Sequence, residues 1–172
     1  MPVTVPEGNT PGASTSVATG VGRLVEALIE RGTTVATCES LTGGMVAATL
    51  TSVPGSSAVV RGGLITYATD LKSSLAGVDP AVIAAEGVVS EAVARAMAEG
   101  VRSRLGADLG LACTGVAGPG AQDGLAAGTV WIAVAARRGT IARRLAESGD
   151  RQRVREATVA ALIALTAESL KA

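Results

Sequence analysis

Short apolar runs rich in β-branched residues alternate along this chain with stretches whose apolar positions recur at helical spacing, and that alternation narrows the fold more than any other feature. Parallel strands have to be joined by crossovers, and helices lying on the sheet are the usual crossovers. Val21, Leu24, Val25, Leu28 and Ile29 predict a helix over residues 16–31, stopped at Gly32. The run "TTVATC" reads as a strand, and "TGGMVAATLTSVPG" as a helix entered at Thr42 and closed by Pro54 and Gly55. "SAVVRGGLITYA" predicts one strand bent at Gly62 and Gly63. Short helices follow in "DLKSSLAG" and "DPAVIAAEG", then a longer one in "SEAVARAMAEGVRSRLG" with Ser90 as its cap. "ADLGLACTG" reads as a strand, "VAGPGAQDGLA" as a long glycine-rich loop, and "AGTVWIAVAAR" with "GTIARRLAE" as a hairpin. A final helix is expected from about Asp150 to Lys171. The predicted fold class is α/β: a three-layer α/β/α arrangement with a mixed, mostly parallel sheet. Residues 1–15 carry Pro, Gly, Ser and Thr without periodicity and read as a disordered leader, with residues 16–172 as a single domain.

Three polar stretches then share one address. "CESLTGG" follows one predicted strand, "TYATDLK" ends a second and "CTGVAGPG" follows a third. Ligands of open α/β sheets bind outside the carboxyl ends of the strands. If these strands are parallel neighbours, Ser40, Tyr67, Lys72, Thr114 and Gly118 converge there. Turn chemistry offers a plainer account of the first stretch: Ser40 and Thr42 cap a helix, and the glycines let it sit close to the sheet. In the functional account the first-turn N–H groups of Thr42, Gly43 and Gly44 are free to cradle an oxyanion or a phosphate. No Gly-Lys-Ser/Thr follows these glycines, so this is not a Walker phosphate loop.

What the chain lacks sharpens the chemistry. It contains no histidine, which excludes Ser-His-Asp and Cys-His catalysis and a histidine-ligated zinc. Of its 15 basic residues only Lys72 and Lys171 are lysines. A lone internal lysine among arginines is a candidate for a task that needs a proton to be lost. A serine nucleophile without histidine needs a desolvated lysine, or a tyrosine relaying through one, as its base. The plain alternatives are a solvated Lys72 and a Tyr67 ring packed at a strand end. Arg151 and Arg155, four apart on one helix, can hold a phosphate or carboxylate or can simply be a solvated helix start. Cys38 and Cys113 are too few for a disulfide scaffold and fit a reducing cytoplasm. The net charge of +0 gives no broad basic field, so no nucleic-acid partner is expected. No apolar run approaches the ~20 residues that span a bilayer, and no membrane partner or signal peptide is expected.

Taken together, "CESLTGG", "GGLITYATDLK", "GVVSEAVARAMAEGVR", "TGVAGPGAQDG", "GTVWIAVA" and "SGDRQRVRE" resemble the C-terminal domain of CinA, the competence/damage-inducible protein, over about Val17 to Leu170. The same domain occurs alone as nicotinamide-nucleotide amidase. The resemblance implies a hydrolase, often dimeric, that deamidates nicotinamide mononucleotide to nicotinic acid mononucleotide and ammonia in pyridine-nucleotide salvage. It carries the nucleophile onto Ser40 and its tyrosine and lysine onto Tyr67 and Lys72. Substrate contacts are then expected from Glu39, Thr42, Gly43 and Gly44 of the first turn, from Thr114, Gly115 and Gly118 beside the ribose-phosphate, and from Arg151. No cofactor and no metal are implied, and the partners are the nucleotide and further copies of the chain, as a homodimer or larger homo-oligomer. Larger CinA proteins carry an N-terminal molybdopterin-binding-like domain with pyrophosphatase activity, for which residues 1–15 are too short. Two departures stand out: Cys38, where relatives have a small residue, and an alanine-rich loop after Gly120 where they are more acidic. A different reading, a nucleotide- or protein-binding module without turnover, stays open on the sequence, as does an amidase for another small amide.

Overall fold

In the computed structural model of the protein, residues 13–171 are described. Five strands form one sheet: β1 (Val35–Glu39), β2 (Val60–Ile65), β3 (Leu109–Gly115), β4 (Thr129–Ala136) and β5 (Gly139–Ala146), in the order β2-β1-β3-β4-β5. β1 pairs in parallel with both β2 and β3, whereas β4 is antiparallel to β3 and to β5. Four strands therefore run one way and β4 alone runs against them. The mixed α/β sheet predicted from the alternation is present.

Side-chain size sorts the two faces. Val35, Leu109, Leu111, Val130, Ile132 and Val134 point toward α1 (Ala13–Arg31), α2 (Met45–Thr51) and α6 (Arg151–Ser169), which together form the larger core. On the other face the strands present Ala36, Cys38, Ala112, Ala133 and Ala135 to α5 (Glu91–Arg104) and to the segment joining α3 (Thr69–Ser74) to α4 (Pro80–Glu86). Small residues let α5 approach the sheet closely: a Cβ at Gly110 would collide with the Ala98 carbonyl oxygen. Close packing of this kind tolerates no added methyl without backbone shifts.

Several element ends differ from the sequence reading. α1 starts at Ala13, three residues inside the range read as leader, and residues 1–12, which carry the rest of that expectation, lie outside the described residues. β2 is confined to Val60–Ile65 because Ser56–Ala58 folds into a 3-10 turn. The helix after β1 begins at Met45 rather than at Thr42. Gly43 and Gly44 both take positive φ, 60° and 101°, so the chain turns there before it can coil. The cap read at Ser90 is formed, Ser90 Oγ accepting from Val93 N at 3.3 Å; Asp150, read only as the approximate start of the last helix, caps it, Oδ1 accepting from Arg153 N at 2.8 Å.

Candidate active site

Because β2, β1 and β3 are parallel neighbours, their carboxyl ends meet at one edge of the sheet. Glu39, the last residue of β1, stands opposite Ile65 on one side and Cys113 on the other. Ser40 follows it between two threonines, Thr66 and Thr114. Its backbone is fixed there, since Ser40 N donates to the Cys113 carbonyl at 3.1 Å and Thr66 N donates to the Glu39 carbonyl at 2.8 Å. Strand alternation sends Glu39 and Ser40 to opposite faces. Glu39 turns toward α2, and Ser40 turns toward α3.

On the α3 side, Lys72 donates from Nζ to Ser40 Oγ at 3.1 Å and to the Thr66 carbonyl at 2.8 Å. Lys72 is 1% exposed and is among the largest fully buried side chains of the protein. Among the described residues no carboxylate is bonded to it. Burial therefore holds its ammonium below the ordinary lysine range, which the neighbouring Cys38 and Cys113 could offset only as thiolates. Those two thiols stay protonated: burial pushes Cys38 up to about 11 and Cys113 up to about 12. A buried hydroxyl in contact with a buried amine of lowered pKa can act as a nucleophile with its general base. Ser40 is itself buried, with 9% of its surface exposed.

The α2 side has a different job. Glu39 is 1% exposed, and its carboxylate accepts from Thr42 Oγ1 at 2.6 Å and from the N–H groups of Gly44, Val46 and Ala47 at 2.8 to 3.0 Å. It serves as the cap that the sequence reading assigned to Ser40 and Thr42, and it satisfies the first-turn donors of α2 from inside the fold. Glu39 and Thr42 were expected at the substrate. Their side chains are instead spent on the turn, Thr42 also lying 3.1 Å from Cys113 Sγ. The expected cradle of Gly43 and Gly44 N–H groups is likewise occupied, because Gly43 N donates to the Ser40 carbonyl at 3.1 Å and Gly44 N to Glu39.

Tyr67 lies outside the Ser40–Lys72 contact. It is 59% exposed, and its hydroxyl accepts from Arg151 Nη2 at 2.7 Å rather than bridging serine and lysine. Arg151 also donates to the Gly118 carbonyl at 2.9 Å, so Tyr67, Arg151 and the Gly118 loop form one exposed group. Thr114 is buried and donates to the Val88 carbonyl at 2.9 Å, and Gly115 closes β3 where an added Cβ would meet Val130 and the Thr129 carbonyl. The sequence reading missed Thr66, whose carbonyl helps hold Lys72. It also left Arg155 undecided; that side chain reaches the carbonyls of Leu41 and Thr42. A backbone acceptor leaves no trace in residue type, but the four-residue spacing of Arg151 and Arg155 was a usable signal. Among the described residues no group of three or more His, Cys, Asp or Glu side chains could hold a metal ion.

The sequence matches the family described as CinA C-terminal domain over residues 14–170. It is 48% identical over 149 residues to a CinA-like protein of Frankia casuarinae and 46% identical over 151 residues to one of Geobacter sulfurreducens. Each alignment covers 87% of this chain and 34% or 35% of the relative, so the chain spans about a third of the length of the curated relatives it matches. The fold is similar to the crystal structure of a CinA superfamily protein from Klebsiella pneumoniae, with a TM-score of 0.87 and 34% identity, covering 90% of this chain and 98% of that one. It is equally similar, at a TM-score of 0.87 and 32% identity, to a competence/damage inducible protein from Agrobacterium tumefaciens, covering 96% of this chain and all of that one.

Proposed function

This chain belongs to the CinA C-terminal domain family, and from that premise we propose that it is a serine amidohydrolase that deamidates nicotinamide mononucleotide to nicotinic acid mononucleotide and ammonia. The observation that carries the reading is the buried contact of 3.1 Å between Lys72 Nζ and Ser40 Oγ. In this mechanism the neutral Lys72 amine takes the Ser40 proton as the oxygen attacks the carboxamide carbon. The tetrahedral intermediate then collapses, ammonia leaving with the proton that Lys72 returns, and an acyl-enzyme remains. Water activated by the same amine cleaves the ester and releases the acid. The Thr66 carbonyl holds Nζ in place through both half-reactions without supplying charge.

The nucleotide part of the substrate is assigned to the exposed group beside the dyad. Arg151 offers a guanidinium that can pair with a phosphate in two hydrogen bonds, and Tyr67 and the Gly118 carbonyl orient it. The reaction belongs to pyridine-nucleotide salvage, and we assign the protein to the cytoplasm as a homodimer or larger homo-oligomer. Among the described residues no helix is long and apolar enough to cross a membrane. The test is ammonia release from nicotinamide mononucleotide by the purified chain, with Ser40→Ala as control. Release that disappears in the variant is expected. Nucleotide binding without release would mark a binding module instead.

A further inference from the structure

Ser40 sits on a turn whose donors and acceptors are held by different elements. Glu39 takes the donors. Arg155, from α6, takes two acceptors: its Nε donates to the Leu41 carbonyl at 3.1 Å and its Nη2 to the Thr42 carbonyl at 2.9 Å, while Nη1 is braced by Gln152 Oε1 at 3.0 Å. Arg151, one turn earlier on the same helix, faces Tyr67 and Gly118 instead. The two arginines therefore do different work.

In a planar trans peptide the C=O and N–H point in opposite directions. Holding the Leu41 carbonyl against α6 aims the Thr42 N–H away from α6. Ser40 and Lys72 also lie on the side of the sheet away from α6. Of the amides from Ser40 to Ala47, those of Ser40, Gly43, Gly44, Met45, Val46 and Ala47 already have acceptors. The remaining two residues, Leu41 and Thr42, are 4% and 0% exposed, and Arg155 holds the turn there by their carbonyls.

We propose that Arg155 is a positioning residue for the nucleophile: by clamping the Leu41 and Thr42 carbonyls it fixes the turn that carries Ser40. This rests on the hydrolase reading given above. It does not depend on which amide is the substrate, because Arg155 touches only the turn and its own helix.

The test uses the full chain and a small alkyl fluorophosphonate, which carries no ribose and no carboxamide. Ser40 Oγ bonds to phosphorus, fluoride leaves, and the hydroxyl proton passes to Lys72; intact mass follows the adduct. The wild type is expected to label at Ser40, and Ser40→Ala not at all. Arg155→Met and Arg155→Lys should label about 10–100-fold more slowly, since a misplacement of ~1 Å can cost on the order of 100-fold. With nicotinamide mononucleotide the same variants should lose kcat with KM unchanged. Arg153→Ala, an exposed neighbour, should label like the wild type. If Arg155→Met does not fold, Arg155→Lys, which keeps the charge but not the two-pronged geometry, decides the matter. Labelling at the wild-type rate in both arginine variants overturns the inference, whether their melting temperature falls or their KM rises. An unlabelled wild-type Ser40 would instead bring down the hydrolase reading, and this inference with it.

Discussion

Glu39 and Lys72 are equally buried, lie within a few residues of Ser40 along the chain or in space, and are treated by the fold in opposite ways. Glu39 has four donors gathered around its two oxygens, from Thr42, Gly44, Val46 and Ala47. Lys72 has two neutral acceptors and, among the described residues, no counter-charge. A buried ionisable group whose bonds are all made is part of the framework. One left short of partners is held in a state it would not choose in water, and its free energy is available to chemistry. The comparison assigns structure to the α2 side of the turn and reactivity to the α3 side.

The largest effect expected from breaking it is on turnover. Ser40→Ala and Lys72→Arg should each lower ammonia release on the order of 10⁴-fold or more, because members of a catalytic unit fail together and arginine cannot lose its proton. Substantial turnover by Lys72→Arg, measured as steady-state ammonia production, would separate the lysine from proton transfer.

On the other side of the turn the expected loss is in stability. Glu39→Ala strands three amides and a hydroxyl, and urea denaturation should show a loss of about 3 kcal/mol or more, given ~1–3 kcal/mol for each buried group left unsatisfied. An unchanged unfolding midpoint would mean that the cap is not what holds α2. Lys72→Met should move the same midpoint the other way at neutral pH, since it removes a buried amine that lacks a counter-charge. The pH dependence carries a sign. Lys72 has a lower pKa folded than unfolded, so the unfolded chain binds more protons in between. Wild-type stability therefore rises with pH from the folded value up to about 10.4, the ordinary lysine value. Lys72→Met should lack that rise in denaturation curves taken across the window.

The smallest effect belongs to the exposed group. Tyr67→Phe removes one hydrogen bond to Arg151 at the surface, and kcat/KM should fall by about tenfold or less, in keeping with ~0.5–1.5 kcal/mol for such a bond. A loss as large as that of Ser40→Ala would put Tyr67 inside the proton path after all.

The sheet and its helices were legible because their signals are periodic. Alternating size in "LGLACTG" and the helical spacing from Val21 to Ile29 report burial directly. The meeting of Ser40 with Lys72 was legible for a different reason, since the absence of histidine and the scarcity of lysine left few chemical options and strand order supplied the proximity. The inner wiring of the turn was not. A cap normally comes from the residue just before the helix, whereas here Glu39 reaches across the two positive-φ glycines from the end of the strand. For the same reason the amides of Gly43 and Gly44 looked free in the sequence and are not. Hydrogen bonds to carbonyls, such as those at Thr66, Leu41 and Thr42, depend on backbone direction and leave no mark on residue type.

The decisive measurement is a titration of Lys72 by NMR of its ¹³Cε signal, with Lys72→Met to assign it. Lys72 should titrate below the ordinary lysine value of about 10.4, and its midpoint should match the acidic limb of the pH–rate profile for Ser40 acylation. A Lys72 signal that titrates at the ordinary lysine value would overturn the assignment of Lys72 as the base.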